Sequence, residues 1–122
     1  MQKVVIVEDD QSIAFMYRLK FETEGFQVDT AVNGEQGLEV IDKARPDIVL
    51  LDLMMPVMGG DEMLNKLRQT DFGINVPVVV LTNVSDSDAP AVLAQLNVSK
   101  YVVKAHVTPQ EVVNIAREIL DN

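Results

Sequence analysis

Cysteine is absent from the 122-residue chain, which rules out a disulfide framework and any thiolate metal site. Histidine is nearly absent: His106 is the only one, and after the last apolar run it reads as an exposed loop residue. No apolar run approaches the roughly 20 residues that a membrane-spanning helix needs. The first run begins at Val4, which leaves no room for a signal peptide, so the expectation is a cytoplasmic chain. Positive charge is scarce, with 10 Lys and Arg against 19 Asp and Glu and a net charge of −9. A duplex-binding module presents a basic stripe that displaces counterions, so direct nucleic-acid binding is disfavoured. Internal repeats, low-complexity tracts and interdomain linkers are missing as well. Residues 1–122 are therefore expected to form one domain.

What is present is apolar and finely divided. Apolar residues make up 48% of the chain, gathered in short β-branched runs that alternate with longer amphipathic stretches. The runs predict strands near 3–8, 27–32, 47–52, 76–82 and 99–104. Helices are expected near 11–24, 34–44, 59–70, 88–96 and 108–121. Such alternation with short connections implies right-handed βαβ units, an α/β fold whose parallel sheet is covered by helices on both faces. Local punctuation agrees. Asn33-Gly34 breaks the chain before the second helix, and Arg45-Pro46 ends it. Thr108-Pro109 with Glu111 reads as a capping box with proline at the first helical position. Asp88-Ala89-Pro90 restricts the fourth helix to a short, late start. Asn97 suits a left-handed helix stop.

Each of four runs ends on a residue that phosphoryl chemistry needs. Val4–Val7 leads into Glu8, Asp9 and Asp10; Ile48–Leu51 leads into Asp52; Val78–Leu81 leads into Thr82; Tyr101–Val103 leads into Lys104. Ligands of open parallel sheets bind outside the carboxyl ends of the strands, so these residues should meet at one edge. A strand-end aspartate often merely caps a turn, a buried threonine is often only a β-former, and a strand-end lysine is usually solvated. Taken together they offer more. Asp52, backed by the tight Met55-Pro56 and Gly59-Gly60 loop, has the setting of a positioned nucleophile. Glu8 and Asp9 beside it repel unless a cation joins them, and an all-oxygen set suits Mg²⁺. Asp10 is better placed to cap the first helix. Thr82 and Lys104 supply a hydroxyl and an ammonium for the oxygens of a transferring phosphoryl group.

In order and spacing these features resemble the receiver domain of two-component response regulators over essentially the whole length. They are Glu8-Asp9-Asp10 after an apolar strand, Asp47 to Asp52, Met55-Pro56 with Gly60, Thr82, Tyr101 and Lys104. The resemblance implies a flavodoxin-like, doubly wound five-stranded parallel sheet, order 2-1-3-4-5, with five helices. It implies that Asp52 accepts a phosphoryl group from a phosphohistidine of a sensor histidine kinase or histidine phosphotransfer protein. Mg²⁺ would be held by Glu8, Asp9, Asp52 and the Met54 backbone carbonyl. Lys104 and Thr82 would bind the phosphoryl group, and Thr82 with Tyr101 would form the switch. A downstream output protein or domain, and homodimerisation on activation, are the further expected partners. The domain would catalyse its own phosphotransfer without turning over an external substrate.

Three positions depart from the pattern: Ala105 replaces the usual proline after the lysine, Asn83 a small residue after the threonine, and Met54 stands two residues past the acceptor. With Ala105 in place, the Lys104–Ala105 bond is expected trans. A dehalogenase-like phosphatase would need its nucleophile and a second acid at the end of the first strand, and does not fit. A flavin protein is disfavoured, since no Ser/Thr/Gly-rich phosphate loop follows that strand. The alternative is an unphosphorylated pseudo-receiver acting as an interaction module, whose mark would be a lost acid or lysine. The first helix carries Ile13, Phe15, Met16, Tyr17, Leu19 and Phe21, more than one core stripe uses, so part of it should be an exposed partner-docking patch.

Overall fold

Valine, isoleucine and leucine occupy nearly every position of the short runs, so those segments must be buried on both faces. The computed structural model, which describes residues 1–121, forms them into five strands: β1 (Lys3–Val7), β2 (Gln27–Ala31), β3 (Ile48–Leu51), β4 (Val78–Thr82) and β5 (Lys100–Val103). All pair in parallel in the order β2-β1-β3-β4-β5. Alternate residues face opposite layers. Val4, Ile6, Ile48, Leu50, Val79 and Leu81 pack with Tyr17 and Phe21 of α1 (Gln11–Thr23) and with Val112, Val113 and Ala116 of a C-terminal helix. Val5, Val7, Val49, Leu51, Val78 and Val80 pack with Ile41 of α2 (Gly34–Ala44) and with Met63, Leu64 and Leu67 of α3 (Gly60–Leu67). Each fully buried Val, Leu, Ile, Phe or Met among them contributes about 1.5–3 kcal/mol on leaving water. The C-terminal helix, α4, spans Pro109–Leu120.

Helix ends follow the sequence closely. Asp10 caps α1 by accepting from Ser12 and Ile13 N–H, and Asn33 caps α2 by accepting from Gln36 N–H. Thr108 and Glu111 complete a reciprocal capping box on α4. Arg45 closes α2 at φ 49°, and Asn97 turns the chain at φ 54°. No cis peptide bond occurs among the described residues, so the Lys104–Ala105 bond is trans, as expected.

The expected count of five helices is wrong: there are four α-helices among the described residues. Residues 88–96 form no α-helix; the chain there makes two 3-10 turns, Asp86–Asp88 and Ala91–Gln95. The reason lies between them. Ala89 and Pro90 are extended (ψ 141° and 133°), as steric crowding before proline favours, and Pro90 has no N–H to continue a ladder. The α3 helix also stops earlier than expected, at Leu67.

Candidate active site

The strand order reverses between β1 and β3, and at that point the two central strands open a crevice at their carboxyl ends. Glu8, Asp52 and Lys104 each stand one residue past a strand, and Thr82 is the last residue of β4. The sheet ladder carries on far enough to fix the acids. Glu8 N–H donates to Ala31 O at 2.9 Å, and Asp52 N–H donates to Val7 O at 3.0 Å. Behind Asp52 the loop folds so tightly that a β-carbon at Gly60 would run into the Asp52 carbonyl, so only glycine fits there. Val57, in the same loop, is held at φ 67°, a left-handed conformation that a β-branched residue rarely adopts.

Lys104 is the centre of the polar network. Its ammonium donates to Glu8 Oε1 in a short ion pair and to Asp52 Oδ2 at 3.2 Å. Glu8 Oε2 accepts from Asp10 N–H at 3.1 Å, and Asp52 Oδ1 accepts from Met54 N–H at 3.4 Å. Glu8 and Asp52 are 4% and 6% exposed, whereas Asp9 lies in the open at the crevice mouth. Burial raises the Glu8 pKa, against the opposing pull of the Lys104 and Asp10 hydrogen bonds; the Asp52 charge adds to the rise. Burial alone would lower the Lys104 pKa, but the Glu8 hydrogen bond and the two carboxylate charges outweigh it, and the net direction is up. The lysine is therefore held charged.

Three carboxylates face one ammonium. An oxygen from each of Glu8, Asp9 and Asp52 lies within 4.8 Å of the others. The donors are all hard oxygens, the negative charge is in excess, and the exposed Asp9 side leaves solvent free to complete a shell. That set fits a hard divalent cation. Lys104 already occupies the cationic role for two of the three.

The other expected residues lie around this centre. Thr82 is fully buried, and its hydroxyl accepts from Val84 N–H at 3.4 Å rather than bonding to Asp52 or Lys104. Tyr101 is half-buried and its hydroxyl donates to Val84 O at 2.7 Å; burial and the charges of Asp86, Asp88 and Asp52 raise its pKa. Met54 turns its side chain into solvent, and Asn83 and His106 are exposed. On α1, Phe15, Met16 and Leu19 are exposed as expected, and Phe15 borders the Glu8 side of the crevice.

Sequence reasoning missed Tyr17 as a neighbour of the site. It lines a small space shared with Glu8, Asp52, Ile6, Leu50 and Leu81, and burial raises its pKa. The four-residue spacing of Ile13, Tyr17 and Phe21 carries the signal, but their apolar neighbours obscure it.

Comparison with known proteins follows the same lines. The family model described as response regulator receiver domain matches residues 4–117. The transcriptional regulatory protein AfsQ1 of Streptomyces coelicolor is 34% identical over 104 residues, covering 85% of this chain and 45% of that protein. Sporulation initiation phosphotransferase F of Bacillus subtilis is 37% identical over 87 residues, covering 71% of this chain and 68% of that protein. The chemotaxis protein CheY4 of Vibrio cholerae superposes with a TM-score of 0.89 at 27% identity, over 97% of this chain and 98% of that one. The chain thus spans about half the length of regulators such as AfsQ1.

Proposed function

The chain belongs to the response regulator receiver domain family, and from that premise we propose that Asp52 is its phosphoacceptor. The observation that carries the reading is the meeting of Glu8, Asp9, Asp52 and Lys104 at one sheet edge, with a single ammonium touching two acids. Receiver domains accept phosphoryl groups rather than turning over metabolites. We infer that residues 1–122 work as one such unit, in a cytoplasmic phosphorelay.

The donor is a phosphohistidine on a sensor histidine kinase or a histidine phosphotransfer protein. An Asp52 carboxylate oxygen forms the new P–O bond as the P–N bond to the donor imidazole breaks, and the electron pair of that bond stays with the nitrogen. Glu8, Asp9, Asp52 and the Met54 carbonyl would hold Mg²⁺, whose positive charge would act against the phosphoryl oxygens and relieve repulsion among the carboxylates. Lys104, kept charged, exchanges its bond to Asp52 Oδ2 for one to the phosphoryl group. Thr82 turns its hydroxyl from Val84 N–H to a phosphoryl oxygen. Since Tyr101 bonds the carbonyl of that same Val84, movement of Thr82 reaches Tyr101 directly. Charge added at Asp52 then biases the rotamer of Tyr101 and the surface made by residues 86–95, β5 and α4. An output domain or protein, or a second copy of the chain on activation, reads that surface. At a net charge of −9 the chain itself is proposed to make no direct nucleic-acid contact.

Acetyl phosphate or beryllofluoride with Mg²⁺ should modify the wild type and leave Asp52→Ala untouched, as intact mass and ¹⁹F NMR report. Labelling that persists in the variant or in excess chelator would defeat the assignment. A folded wild type inert to both reagents would favour the unphosphorylated interaction module.

A further inference from the structure

Arg68, just past α3, is a cation without a carboxylate partner among the described residues. Its Nε donates to Leu96 O at 2.9 Å and one terminal nitrogen donates to Gly73 O and Val76 O at 2.8 and 2.6 Å. The other terminal nitrogen donates to Asn97 O at 3.0 Å. The two sets of carbonyls belong to different stretches: 73–76 leads into β4, and 96–97 leads into β5. A planar fork with five N–H donors can tie both together; an ammonium, with all its donors on one atom, cannot.

The chain that ends at this clamp is anchored in the core by Leu93 and Leu96, but its backbone is joined to no strand. The backbone hydrogen bonds within 85–96 are local, from Asp88 to Ser85, Ala89 to Asp86, Leu93 to Pro90 and Leu96 to Leu93. Side-chain bonds there stay among Ser85, Ser87 and Asp88. An open groove of about 790 Å³ runs between this segment and β5, bordered by Pro90, Leu93, Lys100 and Tyr101. Two outside side chains hold its ends: Tyr101 on Val84 O and Arg68 on Leu96 O and Asn97 O.

We propose that Arg68 is the stationary end of the regulatory surface. Rearrangement that starts when Tyr101 releases Val84 travels through residues 85–95 and stops at Leu96, because the guanidinium keeps 96–97 fixed to α3 and to the lead-in of β4. The direction of that signal rests on the phosphorylation reading above; the clamp rests only on the hydrogen bonds. A tether of this kind makes the segment reorganise as one unit against a β5 whose backbone stays in place while the Tyr101 side chain turns. Without it, the disturbance would dissipate into the edge strand.

Hydrogen exchange on the whole chain, without any phosphoryl mimic, tests the clamp by itself. Arg68→Lys and Arg68→Gln should speed exchange of the Leu96 and Ser99 amides, bonded to Leu93 O and Val78 O, by about tenfold while leaving the Glu8 and Asp52 amides unchanged. Equal acceleration of the β1 and β3 amides, or none at Leu96 and Ser99, would overturn the proposal. Beryllofluoride with Mg²⁺ should then shift wild-type resonances from Thr82 to Gln95 and at Tyr101, and in Arg68→Lys the shifts should run on through Ser99. Wild-type shifts that already cross 97–99 would also overturn it. A wild type that does not respond to beryllofluoride refutes the phosphoacceptor reading and leaves the exchange result to decide the clamp.

Discussion

On the β1–β3 side of the crevice, two acids, Glu8 and Asp52, each follow a strand paired on both flanks and buried on both faces, and their own N–H groups join a neighbouring strand. Across the crevice, the chain that follows Thr82 leaves the sheet, turns twice with 3-10 geometry and returns as an edge strand paired on one flank only. The acids are 4–6% exposed, while Ser85 to Asp88 are open to solvent. The contrast separates two jobs. Chemistry that needs fixed oxygens sits where the sheet over-determines the backbone. A surface that must change shape sits where the backbone hydrogen bonds are only local, and Leu93 and Leu96 are its only side chains buried in the core. Lys104 and Tyr101, both at β5, link the two sides.

The hardest test of the rigid side is Lys104→Met. Removing the one ammonium that reaches Asp52 should slow phosphorylation from acetyl phosphate by about 10²–10³-fold, the usual loss for one charge-stabilising donor. A rate within a few-fold of wild type would show that the network does not serve the chemistry. Truncating the core sharpens the comparison next. Leu51→Ala, in a fully buried strand that cannot collapse, should cost about 3–5 kcal/mol in urea unfolding. Leu93→Ala belongs to the same apolar cluster but lies on the 3-10 segment beside the groove, and should cost about 2 kcal/mol or less. Equal losses would erase the distinction.

Smaller and opposite in sign is Val57→Gly. The left-handed φ of 67° strains a β-branched residue by about 1–3 kcal/mol, part of which glycine returns as unfolded-state entropy. A net gain of about 1 kcal/mol in thermal or urea unfolding is expected, and a loss would mean that the 76% exposed side chain packs in solution.

The mildest effect is alkaline. Tyr17 and Lys104 both hold their protons more tightly when folded than at their ordinary values of 10.0 and 10.5. The unfolded chain therefore loses those protons first, and the folded state carries more protons across that range. Stability is full below these values and falls as pH rises through them. Urea midpoints measured upward from neutral pH should decline there, and Tyr17→Phe should decline less. A flat profile would mean that neither group is perturbed.

Particular residues separate what the sequence alone carries from what it does not. The β-branched runs, the caps at Asp10, Asn33 and Thr108 and the stops at Arg45 and Asn97 are local choices, and period and steric preference determine them. The grouping of Glu8, Asp9, Asp52 and Lys104 followed from one topological rule, that parallel strands present their carboxyl ends to a common crevice. Pro90 was visible, yet its consequence was underestimated, because whether a short helix survives a proline depends on what packs against it. Three things belonged to the tertiary structure alone. Burial and the Lys104 ion pair set the protonation of Glu8, since desolvation depends on neighbours distant in the chain. The hydroxyls of Thr82 and Tyr101 meet at Val84, since side-chain hydrogen bonds depend on backbone turns. Arg68 gathers carbonyls from two loops, and nothing in its local sequence marks it, because its partners converge only when β4 and β5 lie side by side.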